Sequence, residues 1–542
     1  MFATICSFSL LALRVAAVDP LVQLPYASYH GTPLSKGVTQ WMGIPYAAPP
    51  VGDLRFAAPR DIVVENKEYQ ADAHGPSCIG VDSRPGDNRV SEDCLKLDVY
   101  APSSAAAGAA LPVFFYVQGG GFSGSAMPPN GSSLVETSGG NMIVVTFTYR
   151  VGPYGFLGGV VPKPNMSPMS APDHSVNNGL KDQLKALQWV RTNIASFGGN
   201  PNHIVLGGAS AGAGSVVIHM ANPANNGTFV GAALESASWP PLHTAKETQF
   251  EYDNILNLTG CAGEWDTLAC VRKLDTDTFQ TMTRSKILAL PGAAAPPTYL
   301  YGPVLDGDIV REYTYSSFYA NHENEVPILV GDTTNEGIVF TPAGAGASLE
   351  AADSYVNDQF PEITPENLTF FHAHPQYKPL IDASNFRGYA AQLYGDIRYV
   401  CPNLFLSWTL PSRAQNSNIW TYRWDVGSAT HIAESESVWN GFTGKNQTVE
   451  PLQNAIHAYW ISFITRLDPN AGAADTAAKE TGGAVTPPDW IRSASADRKW
   501  AANRILFSDK AASPLAPRME IVDEEQWDAC VKLMDMGIQL QQ

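Results

Sequence analysis

One stretch near the middle of the chain combines a short apolar strand, a glycine-rich turn and a helical pattern. Residues 204–206 are Ile-Val-Leu, residues 208–212 are Gly-Ala-Ser-Ala-Gly, and the residues from Val216 to Met220 predict a helix. A turn this tight needs small residues on both sides of Ser210, because the chain passes close to itself there. The stretch therefore predicts a strained turn that exposes the Ser210 hydroxyl as a candidate nucleophile. The alternative is a glycine-rich loop with an idle serine.

A second glycine-rich segment follows another predicted strand. The apolar run 111–118 stops at three consecutive glycines, which are followed by Phe122. Because glycines have no side chain, two backbone amides of this loop, those of Gly120 and Gly121, can approach a substrate carbonyl oxygen. The amide of Ala211, directly after the candidate nucleophile, would be the third donor. An ordinary glycine turn is the alternative.

The rest of the chain alternates strand-like and helix-like patterns. Leu180, Leu184, Leu187, Val190 and Ile194 recur at helical spacing, and the stripe from Ile456 to Ile464 indicates a core helix. Further candidate strands are 142–149, 327–330 and 418–424. Strand and helix in alternation predict an α/β fold with a central, mostly parallel sheet and helices on both faces. No linker is evident, so we expect one domain over residues 18–542 with long loop insertions.

Composition excludes some functions. The net charge of −18 argues against a nucleic-acid partner, which needs clustered positive charge. Hydrophobic residues at 44% and charged residues at 16% are typical of a folded protein. No segment after the N-terminus is long and apolar enough to predict a membrane span, so we expect no stable membrane insertion.

The N-terminus and the cysteines both favour secretion. Residues 1–17 resemble a signal peptide cleaved after Ala17, although Arg14 interrupts the apolar run and an apolar N-terminal helix is the alternative. Loss of Cys6 with that peptide leaves an even number of cysteines, six, which permit fifteen pairings. Cysteines close in sequence are Cys78 with Cys94 and Cys261 with Cys270, and Cys401 and Cys530 remain.

Candidate glycosylation sequons begin at Asn130, Asn226, Asn257, Asn367 and Asn446, and a weaker one at Asn165 precedes Pro168.

Spacing alone does not identify a base for Ser210. When the chain order is nucleophile, acid, base, the base follows Ser210. The histidines that remain are His219, His243, His322, His372, His374, His431 and His457. His219 lies on the helix that leaves the turn, so its side chain does not readily return to Ser210. His372 and His374 suggest a metal pair, but no further ligand cluster accompanies them.

Taken together, these motifs resemble the type-B carboxylesterase and lipase family, the cholinesterase-like branch of the α/β-hydrolases. The resemblance covers nearly the whole mature chain and is of the kind found in secreted fungal members. It rests on ordered matches at 43–46, 49–56, 92–95, 119–122, 149–156, 178–183, 197–201 and 208–212.

The resemblance implies roles for further residues. Glu336, in Thr-Asn-Glu-Gly, is similar to the family's triad acid, and His431, in Thr-His-Ile-Ala-Glu, to its base. Asp306 and Asp332 are the rival acids. The resemblance also implies three disulfides, Cys78–Cys94, Cys261–Cys270 and Cys401–Cys530. It implies hydrolysis of a small-molecule ester through an acyl-enzyme, without a metal or other cofactor.

Departures from the family pattern narrow the expected substrate. Ala209 stands where many members have Glu, and the loop between Cys78 and Cys94 has no aromatic residue to bind a choline cation. That loop is also short and charged, whereas family lipases use it as an apolar lid. We therefore expect soluble esters, with an interfacial lipase or an inactive binding protein as alternatives. Phe122 and Trp239 are expected to line the acyl side, with core packing as the alternative for each.

Overall fold

The apolar runs of the sequence form the strands of one large sheet. The computed structural model of the protein describes residues 20–161, 173–410, 418–473, 476, 489–490, 503–510 and 515–542. Its main sheet has eleven strands. In chain order they are β1 (Thr32–Pro33), β2 (Val38–Pro45), β3 (Lys96–Pro102), β4 (Leu111–Val117), β5 (Ile143–Phe147), β6 (Gly199–Ala209), β7 (Gly231–Glu235), β8 (Ile328–Thr333), β9 (Ile419–Asp425), β10 (Asn503–Ser508) and β11 (Arg518–Ile521).

The strands lie in the order β11-β10-β9-β8-β7-β6-β4-β5-β3-β2-β1. From β10 across to β5 neighbouring strands are parallel, and the pairs at both edges are antiparallel. The carboxyl ends of the parallel strands therefore meet along one edge of the sheet, where ligand sites form in such folds. This architecture confirms the predicted α/β-hydrolase fold with a mostly parallel central sheet.

Three small sheets and a set of helices surround this sheet. The small sheets pair Leu21–Gln23 with Ser28–His30 and Glu68–Gln70, Ser77–Cys78 with Val90–Ser91, and His243–Thr244 with Val304–Leu305. The α-helices are α1 (Ser132–Thr137), α2 (Gly152–Phe156), α3 (Asn178–Asn193), α4 (Ala211–Met220), α5 (Gln249–Thr259), α6 (Thr267–Arg272), α7 (Thr276–Thr283), α8 (Thr314–Tyr319), α9 (Leu349–Gln359), α10 (Pro365–Ala373), α11 (Lys378–Asp382), α12 (Phe386–Gly395), α13 (Cys401–Thr409), α14 (Ser435–Asn440), α15 (Glu450–Arg466) and α16 (Glu524–Met536).

Both faces of the sheet are buried. In β4, Phe115 and Val117 pack with the cluster that includes α3 and α4, and Phe114 and Tyr116 pack with the cluster that includes α15. Successive strand residues point to opposite faces, so a strand covered on both sides is apolar throughout. This explains the continuous apolar run that the sequence has at 111–118. The predicted core role of the stripe in α15 is confirmed as well.

The three disulfides are present as expected. Cys78–Cys94 closes the charged loop, Cys261–Cys270 joins the chain after α5 to α6, and Cys401–Cys530 joins α13 to α16. Of the sequon asparagines, Asn130, Asn226, Asn257 and Asn446 are exposed and Asn367 is partly exposed. The predicted signal peptide and Asn165 lie outside the described residues.

Candidate active site

Ser210 occupies a sharp turn between β6 and α4. Its backbone has φ 56° and ψ −124°, a conformation that costs a non-glycine residue energy and persists only where the surroundings enforce it. A Cβ on Gly212 would lie 2.0 Å from the carbonyl oxygen of Val117, and one on Gly208 would lie 2.6 Å from the carbonyl carbon of Gly212. Both glycines are therefore needed for the close approach of β4, β6 and α4, as the sequence predicts.

The loop after β4 lies directly against the serine. A Cβ on Gly119 would lie 3.1 Å from the Cβ of Ser210, and Gly120 and Gly121 have φ values of 121° and 61°. Among the described residues, the amides of Gly120, Gly121 and Ala211 have no acceptor. Three unpaired donors beside one hydroxyl are suited to bind an oxygen that gains negative charge during reaction.

Glu336 and His431 meet across two neighbouring strand ends. Glu336 follows β8 and is 2% exposed, and its Oε2 contacts Nδ1 of His431, which follows β9. The other carboxylate oxygen, Oε1, accepts hydrogen bonds from the Ser236 hydroxyl at 2.6 Å and from the Thr333 amide at 2.7 Å. These donors fix the carboxylate so that it holds the imidazole in one orientation.

Two aromatic rings hold the His431 ring in place. It packs against Tyr399 at 4.6 Å and Phe340 at 5.0 Å between ring centroids. Because Nδ1 donates to Glu336, Nε2 is the nitrogen left to accept a proton. Within the described part of the chain Nε2 has no hydrogen-bond partner. The bond from a nucleophile to its base is often long before substrate binds, so this geometry is compatible with a base.

The rival acids and bases have other contacts. Asp306 accepts hydrogen bonds from Asn177 and from the Val310 amide, which hold a turn. His219 is bonded to Gln183 at 2.8 Å, and His372 to Asp353 at 3.0 Å. Across the described ranges there is no group of three or more His, Cys, Asp or Glu side chains that could hold a metal ion.

The sequence did not identify two further buried carboxyls near this site. Glu434 lies three residues after His431, is 0% exposed, and accepts a hydrogen bond from Tyr422 at 2.9 Å. Glu235, at the end of β7, is equally buried. Burial, and then the negative charge of Glu336, raises the pKa of Glu434 to about 8. Burial, and then the charge of Glu434, raises the pKa of Glu235 well above its usual range. Both shifts favour the protonated, neutral form of these carboxyls.

Replacing Glu434 with glutamine is expected to reduce the loss of stability that accompanies a rise in pH towards about 8. The pKa of Glu434 is raised to about 8 in the folded protein, whereas a glutamate in the unfolded chain has a pKa near 4.3. The resulting contribution to folding stability is fully present below about pH 4.3 and is lost as the pH rises through about 8. Glutamine keeps the acceptor for Tyr422 and does not ionise. Thermal unfolding of wild type and Glu434→Gln between pH 6 and pH 9 measures the difference, and an equal drop in Tm for both proteins would contradict it.

A large open cavity lies beside the glycine loop. Its volume is about 1050 Å³, and it is lined by Gly120, by residues of the Cys78–Cys94 loop such as Arg84, and by Tyr299. Phe122 and Trp239 are 1% and 2% exposed and belong to the hydrophobic core, and neither lines this cavity. Their expected role on the acyl side stays a prediction.

The chain is similar to known proteins over most of its length. Residues 18–501 match the carboxylesterase family. The chain is 30% identical to the para-nitrobenzyl esterase of Bacillus subtilis, over 84% of this chain and 91% of that one, and 29% identical to secreted lipase 1 of Botryotinia fuckeliana, over 85% and 86%. The crystal structure of Aspergillus niger EstA superposes with a TM-score of 0.84 at 30% identity, covering 97% of this chain and 99% of that one.

No helix in the described ranges is long and apolar enough to cross a membrane.

Three findings agree on the family. The family model matches most of the chain, the sheet is that of an α/β-hydrolase, and the relatives are named as esterases and lipases. The chain belongs to the carboxylesterase family and is a carboxylic ester hydrolase.

Proposed function

We propose that this protein is a secreted serine esterase that hydrolyses soluble carboxylic esters through an acyl-enzyme on Ser210. His431 acts as the general base, Glu336 orients it, and the amides of Gly120, Gly121 and Ala211 bind the oxyanion. The observation that carries the proposal is the arrangement at the carboxyl edge of the sheet. There a strained serine lies beside three amides, and a buried carboxylate contacts a histidine; the amides and the second histidine nitrogen have no hydrogen-bond partner among the described residues.

The reaction follows from these positions. His431 Nε2 takes the Ser210 proton as the hydroxyl oxygen attacks the ester carbonyl, and the three amides stabilise the negative oxygen that results. The protonated imidazole is stabilised by Glu336 and returns the proton to the departing alcohol. Water then attacks the acyl-enzyme with the same base, which releases the acid and restores Ser210.

The Cys78–Cys94 loop supports an esterase rather than an interfacial lipase. The Asp82 carbonyl oxygen accepts a hydrogen bond from Arg284 at 2.9 Å, and the Gly86 amide donates to Asp277 at 2.8 Å. These two contacts anchor the loop to α7 and to the residue after it, and the loop also carries Arg84 and Arg89. Such a loop is not suited to open as an apolar lid on lipid.

The rate below and above the solubility limit of one substrate tests this preference. With p-nitrophenyl butyrate or tributyrin, we expect a hyperbolic dependence on concentration that continues smoothly when emulsion droplets form. An esterase of this kind binds dissolved molecules, so the interface adds no new binding surface. A sharp rise in rate at the solubility limit would instead identify an interfacial lipase. A lipase with a known apolar lid, assayed in parallel, is the control.

Secretion and glycosylation belong to the same proposal. They are supported by three disulfides, which persist in oxidising compartments, by the secreted lipase among the relatives and by the exposed sequon asparagines. Cleavage after Ala17 and one domain over 18–542 stay predictions.

A further inference from the structure

Arg398 is a buried cation beside the active site that the mechanism above does not use. It lies in the π-helical turn Asp396–Val400 between α12 and α13, and it is 5% exposed. The next residue, Tyr399, packs on the His431 ring. The Arg398 carbonyl accepts a hydrogen bond from the Trp239 amide at 2.9 Å. The same turn therefore carries Arg398 and a residue that contacts the candidate base.

The Arg398 side chain has no carboxylate partner. Its Nε donates to the Ser238 hydroxyl at 2.9 Å, and Nη1 and Nη2 make no hydrogen bond to any described residue. No described carboxylate oxygen lies within 4.0 Å of the guanidinium. Three other buried arginines do have such partners: Arg55 with Glu92, Arg150 with Asp182, and Arg504 with Glu520.

A buried charge without a partner raises the free energy of the folded protein, so the groups around Arg398 indicate which kind of partner it lacks. Desolvation of a cation costs several kcal/mol, about as much as a good ion pair returns. Its electrostatic neighbours are the tyrosines 394, 399, 299 and 355, whose hydroxyls are neutral because burial raises their pKa. The hydroxyls of Tyr394 and Tyr399 are themselves buried and have no hydrogen-bond partner in the described part of the chain. Nη1 and Nη2, in contrast, are not sealed from solvent. The cluster thus has free donors and no anion of its own.

The cluster is linked to the active site through neighbouring residues. The Ser238 amide donates to the Ser210 carbonyl at 3.1 Å, and the Ser238 hydroxyl holds Nε of Arg398. The guanidinium lies 5.8 Å from the centre of the Tyr299 ring, and that ring is in van der Waals contact range of Gly121, where a Cβ would meet it at 2.2 Å. Arg398 is therefore connected to both the nucleophile and the oxyanion loop through one intervening residue each.

We propose that Arg398 is a specificity residue that binds a free carboxylate on the substrate, so that the enzyme prefers esters that carry a second, ionised carboxyl group. The proposal rests on the proposed esterase function. A guanidinium binds a carboxylate with two parallel charge-assisted hydrogen bonds, and Nη1 and Nη2 are the nitrogens available for them. Because the whole chain has a net charge of −18, its long-range field repels such substrates, and a local cation is needed to bind them.

Matched ester pairs test the proposal. One pair places the carboxylate on the acid side, monoethyl succinate against ethyl pentanoate. The other places it on the alcohol side, 3-acetoxypropanoate against butyl acetate. For at least one pair we expect wild type to have a kcat/KM about tenfold or more higher for the charged ester, in line with the strength of a charge-assisted hydrogen bond. The responding pair identifies the side on which the carboxylate binds.

Variants then assign that preference to Arg398. Arg398→Met, which is similar in length and uncharged, is expected to lower the charged-to-neutral ratio by about tenfold, mainly through a higher KM. Arg398→Lys is expected to keep part of the ratio. Should Arg398→Met fail to fold, competition in wild type replaces it: free glutarate is expected to inhibit, and neutral glutaramide to inhibit much less.

Several results would overturn the proposal. They are an absence of preference for both charged esters in wild type, an equal loss of rate for charged and neutral esters in Arg398→Met, or equal inhibition by glutarate and glutaramide. Equal losses would assign Arg398 a purely structural role. The proposed esterase function is judged separately by hydrolysis of the neutral esters and by labelling of Ser210 with an organophosphonate, neither of which depends on Arg398 binding a carboxylate.

Discussion

Replacing Ser210 with alanine is expected to lower kcat for p-nitrophenyl butyrate by about 10⁴- to 10⁶-fold. The alanine keeps the turn, since its side chain is no larger, but removes the atom that forms the acyl-enzyme. His431, Glu336 and the amides then retain only the small rate advantage of binding and polarising the ester. Steady-state kinetics with purified wild type and variant measure the loss.

Ser215 provides the matched control for this variant. It is a buried serine on α4, the helix that begins directly after Ser210, and its hydroxyl donates to the Ala211 carbonyl and accepts from Gln183. Ser215→Ala is expected to stay within a few-fold of wild type. Unchanged turnover in Ser210→Ala would refute the assignment of the nucleophile. No turnover in wild type itself, with any ester tried, would favour the inactive binding protein.

Replacing Glu336 with glutamine is expected to lower kcat by about 10⁴-fold. The carboxylate accepts from His431, Ser236 and Thr333 at once, so it is fixed and fully paired. Glutamine has a similar shape but no charge to stabilise the imidazolium. Its amide nitrogen is a donor, whereas Ser236, Thr333 and His431 all need an acceptor at this position. The imidazole is therefore expected to lose both its orientation and the tautomer that leaves Nε2 free to accept a proton.

Glu434→Gln is the control for the same substitution at a second buried carboxyl close to His431. Glu434 lies three residues from His431 and its raised pKa favours the neutral form, so its replacement is expected to change kcat by only a few-fold at pH 7. Similar kinetic losses in both variants would show that Glu336 has no special role. A normal kcat in Glu336→Gln would require another acid, and Asp332 would be the next candidate.

The parts of the site that local sequence determines were predictable. A strand, a small-residue turn and a helix around Ser210 form an elbow because the steric demand is met within a few residues. The glycines after β4 similarly leave free amides. The continuous apolar runs at β4 and β5 indicate a sheet covered on both faces. Glu336 and His431 came from family resemblance, because no spacing rule selects one histidine among seven.

The remaining parts depend on which distant residues the fold brings together. Ser236 bonds Glu336 across 100 residues, and Arg398 bonds Ser238 across 160. Nothing near Arg398 in sequence shows that the guanidinium is buried without a carboxylate. The contact of Trp239 with Tyr315, at 4.8 Å between ring centroids, is likewise made across a long stretch of chain. Such positions are decided by tertiary packing and not by any local pattern.

Covalent labelling of the native enzyme tests the central claim most directly. The enzyme is treated with a fluorophosphonate, digested, and mapped by mass spectrometry while residual activity is followed. We expect one adduct per molecule, on the peptide that contains Ser210, with activity falling in proportion to labelling. Loss of activity with the adduct on a different residue, or full activity with Ser210 completely labelled, would contradict it.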